Sequence, residues 1–318
     1  MSIVRAKKEK GSAAKAFFGE RKEITKEDRQ EAARFSDVAL HGYQLSTRKH
    51  ILPFANALSR NRFLRDIEIR DSCLCAAALE TLAAALAEAT HLTSVNLSAN
   101  TIDRGLKAGA GEHGVTKFAQ DTNGVRSLIE VVSLQKLVSY LNLSKNGLDW
   151  RTAEILSQFL GSHPALVDID LSINKIGSKG AVYIAKLIKA NNVIQRLNIR
   201  SNAIGSLGLD LICRSLRTNR GLTELNLRNN NLDNDSIRTL ADTIRVGARG
   251  LLKLDLSYNK IGPEGATALS FGIKSKHLGL RELILDYNAL TAGGRNFDGI
   301  VAMGAYVLFW HCRQRWYP

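Results

Sequence analysis

The sequence predicts an α/β solenoid of about nine repeats, with a curved parallel sheet inside and helices outside. Three observations predict it. The stretch Leu166–Ile176, LVDIDLSINKI, fills the template L-x-x-L-x-L-x-x-N-x-L with Leu166, Ile169, Leu171, Asn174 and Ile176. The template starts again at Ile194, Leu222, Leu251 and Leu280, and earlier at Phe35, Leu64, Leu92 and Val138; the spacings are 28 or 29 residues, with one of 46 after Leu92. After each template the apolar period changes to 3.6: Ala181, Ile184, Ala185, Leu187 and Ile188 share one helix face.

Each element follows from this pattern. The first, fourth and sixth template positions cannot all face one side of a long strand, so the strand must be short and entered and left by bends. One strand and one helix of this size cannot close a core, whereas stacked copies bury each other's flanks. Asn100, Asn146, Asn174, Asn202, Asn230, Asn259 and Asn288 share one register. A buried Asn there serves backbone groups left unpaired where the chain leaves the strand. Tyr43 and Ser72 stand in that place in the first two repeats, so the ladder is expected to weaken there.

The motifs N-K-I-G-x-x-G-A at Asn174–Ala181 and N-K-I-G-P-E-G-A at Asn259–Ala266 resemble leucine-rich repeats, and the strand–helix unit is similar to the ribonuclease-inhibitor-like type. The resemblance runs from Phe35 to about Leu290. It implies the solenoid fold and a role in binding other proteins, without naming a partner.

The chain therefore divides into a basic tail and capping helix over residues 1–34, an array over 35–290, and a C-terminal cap over 291–318. The first segment holds ten Lys or Arg against six Asp or Glu. Its basic start also fits a mitochondrial presequence, and Phe17 and Phe18 fit a partner anchor. Asp103–Asn123 accounts for the long spacing; Gly105, Gly109, Gly111 and Gly114 predict a loop, and insertions in solenoids emerge on a binding face. The apolar run Ile300–Trp310 is about half a membrane span and reads as a cover for the last repeat. With no secretory signal, the reading is a cytoplasmic chain, monomeric alone, possessing no membrane segment. Cys73, Cys75, Cys213 and Cys312 lack metal-site spacing and are expected as buried free thiols.

The net charge of +14 sits mainly after residue 137, where 23 basic face 14 acidic side chains. Lys189, Arg217, Arg245 and Lys274 recur at one register, broadened by Lys186, Arg214 and Arg220. Such a column either complements helix C-termini or offers an edge to an acidic partner. On the strand face the candidates are Asp168, Asp170, Arg196, Arg200, Arg228, Tyr258 and Tyr287, within a wider set of interleaved charges. That mixture suits a protein partner better than a phosphate track, since only the two tyrosines offer aromatic platforms. No metal spacing, phosphate loop or nucleophile elbow occurs, and the seven histidines are scattered, so neither catalytic residue nor cofactor is expected. The reading is a non-enzymatic interaction scaffold, by analogy in a cytoskeletal or flagellar assembly. The alternatives are a nucleic-acid-associated basic scaffold, or an activator resembling that of the nuclear-transport GTPase, with Arg104 acting on the transferred phosphate.

Overall fold

The computed structural model describes residues 23–102, 104–110, 116–248, 250–274, 279–291, 293–296, 298, 301 and 310–311. The chain forms two compact units, Met1–Val138 and Ser139–Pro318. The first carries α1 (Lys26–Ala32), β1 (Asp37–His41), α2 (Arg48–Leu58), β2 (Asp66–Arg70), α3 (Ala76–Leu86), β3 (Ser94–Asn96), β4 (Arg104–Ala110), β5 (Thr116–Gln120) and α4 (Asn123–Leu134). Here β1, β2 and β3 pair in parallel and in register. The second carries β6 (Tyr140–Asn142), α5 (Trp150–Phe159), β7 (Asp168–Asp170), α6 (Gly177–Ala190), β8 (Arg196–Asn198), α7 (Gly205–Leu216), β9 (Glu224–Asn226), α8 (Asn234–Val246), β10 (Lys253–Asp255), α9 (Pro263–Ile273), β11 (Glu282–Ile284) and β12 (Trp310–His311). Its strands form one parallel ladder from β6 to β11, and β12 joins the edge beside β11. Three strands of the first unit and six of the second thus carry the repeat of this solenoid.

The template explains the core. Ile169, Leu171 and Leu166 are all fully buried although only Ile169 lies within the three-residue strand, because bends turn the other two inward. The first position fails only at the ends: Phe35 is 53% exposed and Leu280 half-buried, each lacking a further repeat to cover it. The helix face predicted from the 3.6 period is buried as a set in α6.

The Asn register is an inter-repeat clamp. Oδ1 of Asn174 accepts from the backbone N–H groups of Asn146 (3.0 Å) and Leu148 (3.1 Å) in the previous repeat, while its Nδ2 donates to the carbonyls of Leu143 (3.1 Å) and Leu171 (2.8 Å). Asn202, Asn230 and Asn259 repeat the arrangement. In the first unit Ser72 substitutes with one hydroxyl, accepting from the Tyr43 N–H and donating to the Arg70 carbonyl, so the rung is thinner as expected.

Two features carried no sequence signal. The residue before each clamp position has left-handed backbone: Gly42, Asp71, Ala99, Lys145, Ile173, Ser201, Asn229, Tyr258 and Tyr287, with φ between 48 and 73°. For Gly42, Asp71, Lys145, Ile173, Ser201, Asn229 and Tyr258 the N–H reaches the next repeat, as Ile173 to the Arg200 carbonyl at 2.7 Å, and that contact holds a conformation costing roughly 1–2 kcal/mol for a side chain with a Cβ. A second polar ladder closes the helix C-termini. Asn61, Gln135, His163, Asn191 and Asn219 are buried three residues before the repeat starts at Leu64, Val138, Leu166, Ile194 and Leu222, with Ala89 in that place before Leu92. Nδ2 of Asn219 donates to the carbonyls of Ile188 (2.6 Å) and Asn191 (2.8 Å) in the previous repeat, and its Oδ1 accepts from the Leu222 N–H.

The glycines of the motif also separate by role. Gly177 is left-handed, whereas a Cβ at Gly180 would overlap Ile176 and lie 3.1 Å from the Cα of Trp150, so its absence lets α6 approach α5.

The insertion corrects the predicted loop. Its backbone forms an antiparallel hairpin, β4 with β5, pairing Arg104 with Gln120, Lys107 with Phe118 and Ala110 with Thr116. Glycine lowers strand propensity but keeps its donor and acceptor, so the cross-strand ladder still forms.

Candidate functional site

Parallel register turns the strand face of the second unit into rows. The first row runs Tyr140, Asp168, Arg196, Glu224, Lys253, Glu282, one residue per strand. From Asp168 onward the charges alternate, and neighbours pair: Arg196 Nε lies 2.8 Å from Asp168 and Lys253 Nζ 2.9 Å from Glu282. The hydrogen bond to Asp168 holds the Arg196 guanidinium above its ordinary pKa, and that to Glu282 does the same for Lys253.

The second row runs Asn142, Asp170, Asn198, Asn226, Asp255. Each side-chain oxygen accepts from the backbone N–H two residues on: Asp170 from Ser172 at 2.8 Å, Asn198 from Arg200 at 3.2 Å, Asn226 from Arg228 at 3.0 Å. Asp170 also accepts from Asn198 Nδ2 at 3.0 Å. These groups shape the turn off the strand. Together the two rows line a groove of about 270 Å³.

Arg200 and Arg228 stand two residues beyond this row, in adjacent repeats. Among the described residues neither makes an ion pair, and Arg200 Nε is buried with no hydrogen-bond partner. The Arg228 guanidinium rests over the Tyr258 ring, 4.2 Å from its centroid, and Tyr258 stacks on Tyr287 at 4.1 Å and 29°. Both tyrosines remain about two-fifths exposed, at 40% and 39%. The left-handed backbone at each sets them side by side on the rim. The predicted strand-face residues are thus near one another but chemically unequal.

On the helix side, the basic column holds its register. Lys189 and Arg245 lie in the last turns of α6 and α8, and Arg217 and Lys274 directly follow α7 and α9, all four exposed. Arg245 lies 3.2 Å from Asp242, and Lys274 lies over Phe271. Arg220 is a capping residue: its Nη1 donates to the carbonyls of Gly247 (2.7 Å), Arg217 (3.1 Å) and Asn219 (3.2 Å), serving the repeat where Ala248 interrupts the second polar ladder. A cation–aromatic cluster was missed in the sequence. Lys179 Nζ lies 3.3 Å from the Trp150 ring centroid and Arg151 4.9 Å, with Tyr183 stacked beside Trp150 and Lys186 over Tyr183. Tyr258 and Tyr287 are therefore not the only aromatics beside basic groups; Trp150 and Tyr183 occupy different registers, so no period marked them.

Arg104 opens β4, and its side chain lies outside the described part of the structure, as do Cys312 and residues 1–22. Cys213 is buried, and burial pushes its thiol up to about 12; Cys73 and Cys75 are only part-buried, which corrects the expectation for them. No group of three metal-ligating side chains occurs among the described residues, and no described helix is long and apolar enough to cross a membrane.

A family described as Leucine Rich repeat matches residues 163–185, 190–213, 218–241 and 250–270. No curated protein matches the chain. Among solved structures, the chain is similar to one titled "Leiomodin-1 Actin-Binding Site 2 (ABS2)", at 22% identity and a TM-score of 0.39, over 43% of this chain and 79% of that one. The four matched segments each cover the strand and much of the helix of one repeat, those that open at Leu166, Ile194, Leu222 and Leu251, so the second unit carries leucine-rich repeats at these positions.

Proposed function

We propose that this chain is a non-enzymatic protein-interaction scaffold that holds a protein partner on the strand face of its second unit, anchored at Arg200, Arg228, Tyr258 and Tyr287. The observation that supports this is the contrast within that face. Arg196 and Lys253 are neutralised by Asp168 and Glu282, whereas Arg200 and Arg228 keep uncompensated charge beside a stacked tyrosine pair. Arginine and tyrosine dominate the energetics of protein interfaces. With its face on Tyr258, Arg228 keeps its N–H edge for a carboxylate, so the partner chemistry is an acidic segment beside an apolar or aromatic group. In this reading Asp168 and Asp170 frame the anchor, and Lys189, Arg217, Arg245 and Lys274 complement helix ends. The proposed setting is a cytoskeletal or flagellar assembly, on the analogy of similar repeat arrays alone.

The test is to recover partners with the full chain, identify them by mass spectrometry, and measure affinity for each with the Arg200→Ala/Arg228→Ala variant. At least a tenfold loss, about 1.4 kcal/mol, is expected with an unchanged melting curve. An unchanged Kd for every partner sinks the reading.

A further inference from the structure

A second cationic site lies in the first unit, apart from the strand face and independent of the proposal above. Between α1 and α2 runs a groove of about 350 Å³. Lys26 and Arg29 on α1, Arg34 just beyond it, and Arg60 just beyond α2 form its walls; Ala33, Pro53 and Ala57 line it between them, together with the polar Gln30 and Asn56. Among the described residues no carboxylate lines it, and none of the four cations makes an ion pair. Asp28 of α1 is engaged elsewhere, accepting from the Tyr43 hydroxyl at 3.1 Å and from the Thr25 N–H at 2.7 Å.

We propose that this groove docks an acidic amphipathic helix of a protein partner. Three features of the groove select that occupant. Lys26 and Arg29 stand one turn apart on α1, and Pro53 and Ala57 one turn apart on α2, so each wall is a helix stripe, continued by Ala33 and Arg60 just past the helix ends. Small side chains between them allow a third helix to pack closely. Lys26 to Ala32 spans about 9 Å at 1.5 Å per residue, nearly two turns, which matches recognition of a helix through one face. Carboxylates flanking the apolar stripe of that helix meet the four cations.

The experiment uses the full chain and a labelled amphipathic peptide of Glu and Leu, about 15 residues long and marginally helical alone. Binding is followed by anisotropy and helicity by circular dichroism. The variant Arg29→Glu/Arg60→Glu is expected to weaken binding by at least about tenfold. The variant Arg217→Glu/Lys274→Glu makes the same change in net charge elsewhere and is expected to alter it less than about twofold. The peptide gains helicity when bound to the native chain. Equal losses in both variants would show attraction to net charge alone and overturn the site. So would binding without a gain in helicity, no binding, or release by inositol hexakisphosphate with affinity for that polyanion lost only in Arg29→Glu/Arg60→Glu, which assigns the groove to a small polyanion. The strand-face variant Arg200→Ala/Arg228→Ala leaves this binding unchanged.

Discussion

Two sets of cations on the strand face of the second unit look alike in sequence and behave differently. Arg196 and Lys253 sit where parallel register sets an acid on the neighbouring strand, and each is paired. Arg200 and Arg228 sit where register sets them beside each other, flanked by Ser172 and Ser257, and the charge stays open. What a charged residue does on a repeat face thus depends on its counterpart one period away. A paired group acts on stability, and an open one is available to act on binding.

That division can be broken in order of expected effect. Arg228→Ala should weaken partner binding by about 2 kcal/mol or more, the level of an interface hot spot, and leave urea unfolding unchanged. A lower unfolding midpoint would make Arg228 structural. Asn202→Ala, wholly within the satisfied set, should lose about 1–3 kcal/mol by urea unfolding, because it strands buried backbone groups of two repeats. Ser72→Ala, which removes the thinner rung, should lose less; equal losses would mean that the number of bonds per rung does not set its contribution.

Asp233 gives a smaller and pH-dependent effect. Its side chain caps α8, and the Ser236 backbone N–H holds its carboxyl below the ordinary value of 3.8. The folded form therefore gains stability above that value and loses it as pH falls through the lower folded pKa. Asp233→Ala should cost about 1 kcal/mol at neutral pH. The gap from the native chain should narrow toward about pH 2 in matched melts. A gap independent of pH would assign the effect to helix propensity. The smallest effect belongs to the exposed pair: Arg196→Ala should change stability by only about 0.2–1 kcal/mol, and binding by less than Arg228→Ala. A larger binding loss at Arg196 would reverse the assignment of the two sets.

The periodic core was legible because burial demands one residue type at one register. Leu171, Ile199 and Leu227 could be read as core without coordinates, and Asn174 and Asn202 as clamps. The second ladder was not legible, since Asn61 and Gln135 donate to carbonyls of the previous repeat while His163 accepts from the Leu166 N–H, and the three share no letter. The hairpin was hidden because glycine signals turns yet does not prevent backbone pairing. At the site, the stacked tyrosines followed from their spacing alone, whereas the pairing of Arg196 and the openness of Arg200 depend on strand register and side-chain reach.

The left-handed position has a consequence for how recognition can be rewritten. In the second unit its backbone is fixed by hydrogen bonds to the next repeat, and the residues found there include Lys145, Ile173, Asn229 and Tyr258. Chain path and side-chain identity are therefore separable at this place, once every repeat. A ligand lying along the rim meets a row of interchangeable letters on a fixed line, spaced about 4.8 Å apart as the strands are. Exchanging those letters changes the message without moving the line.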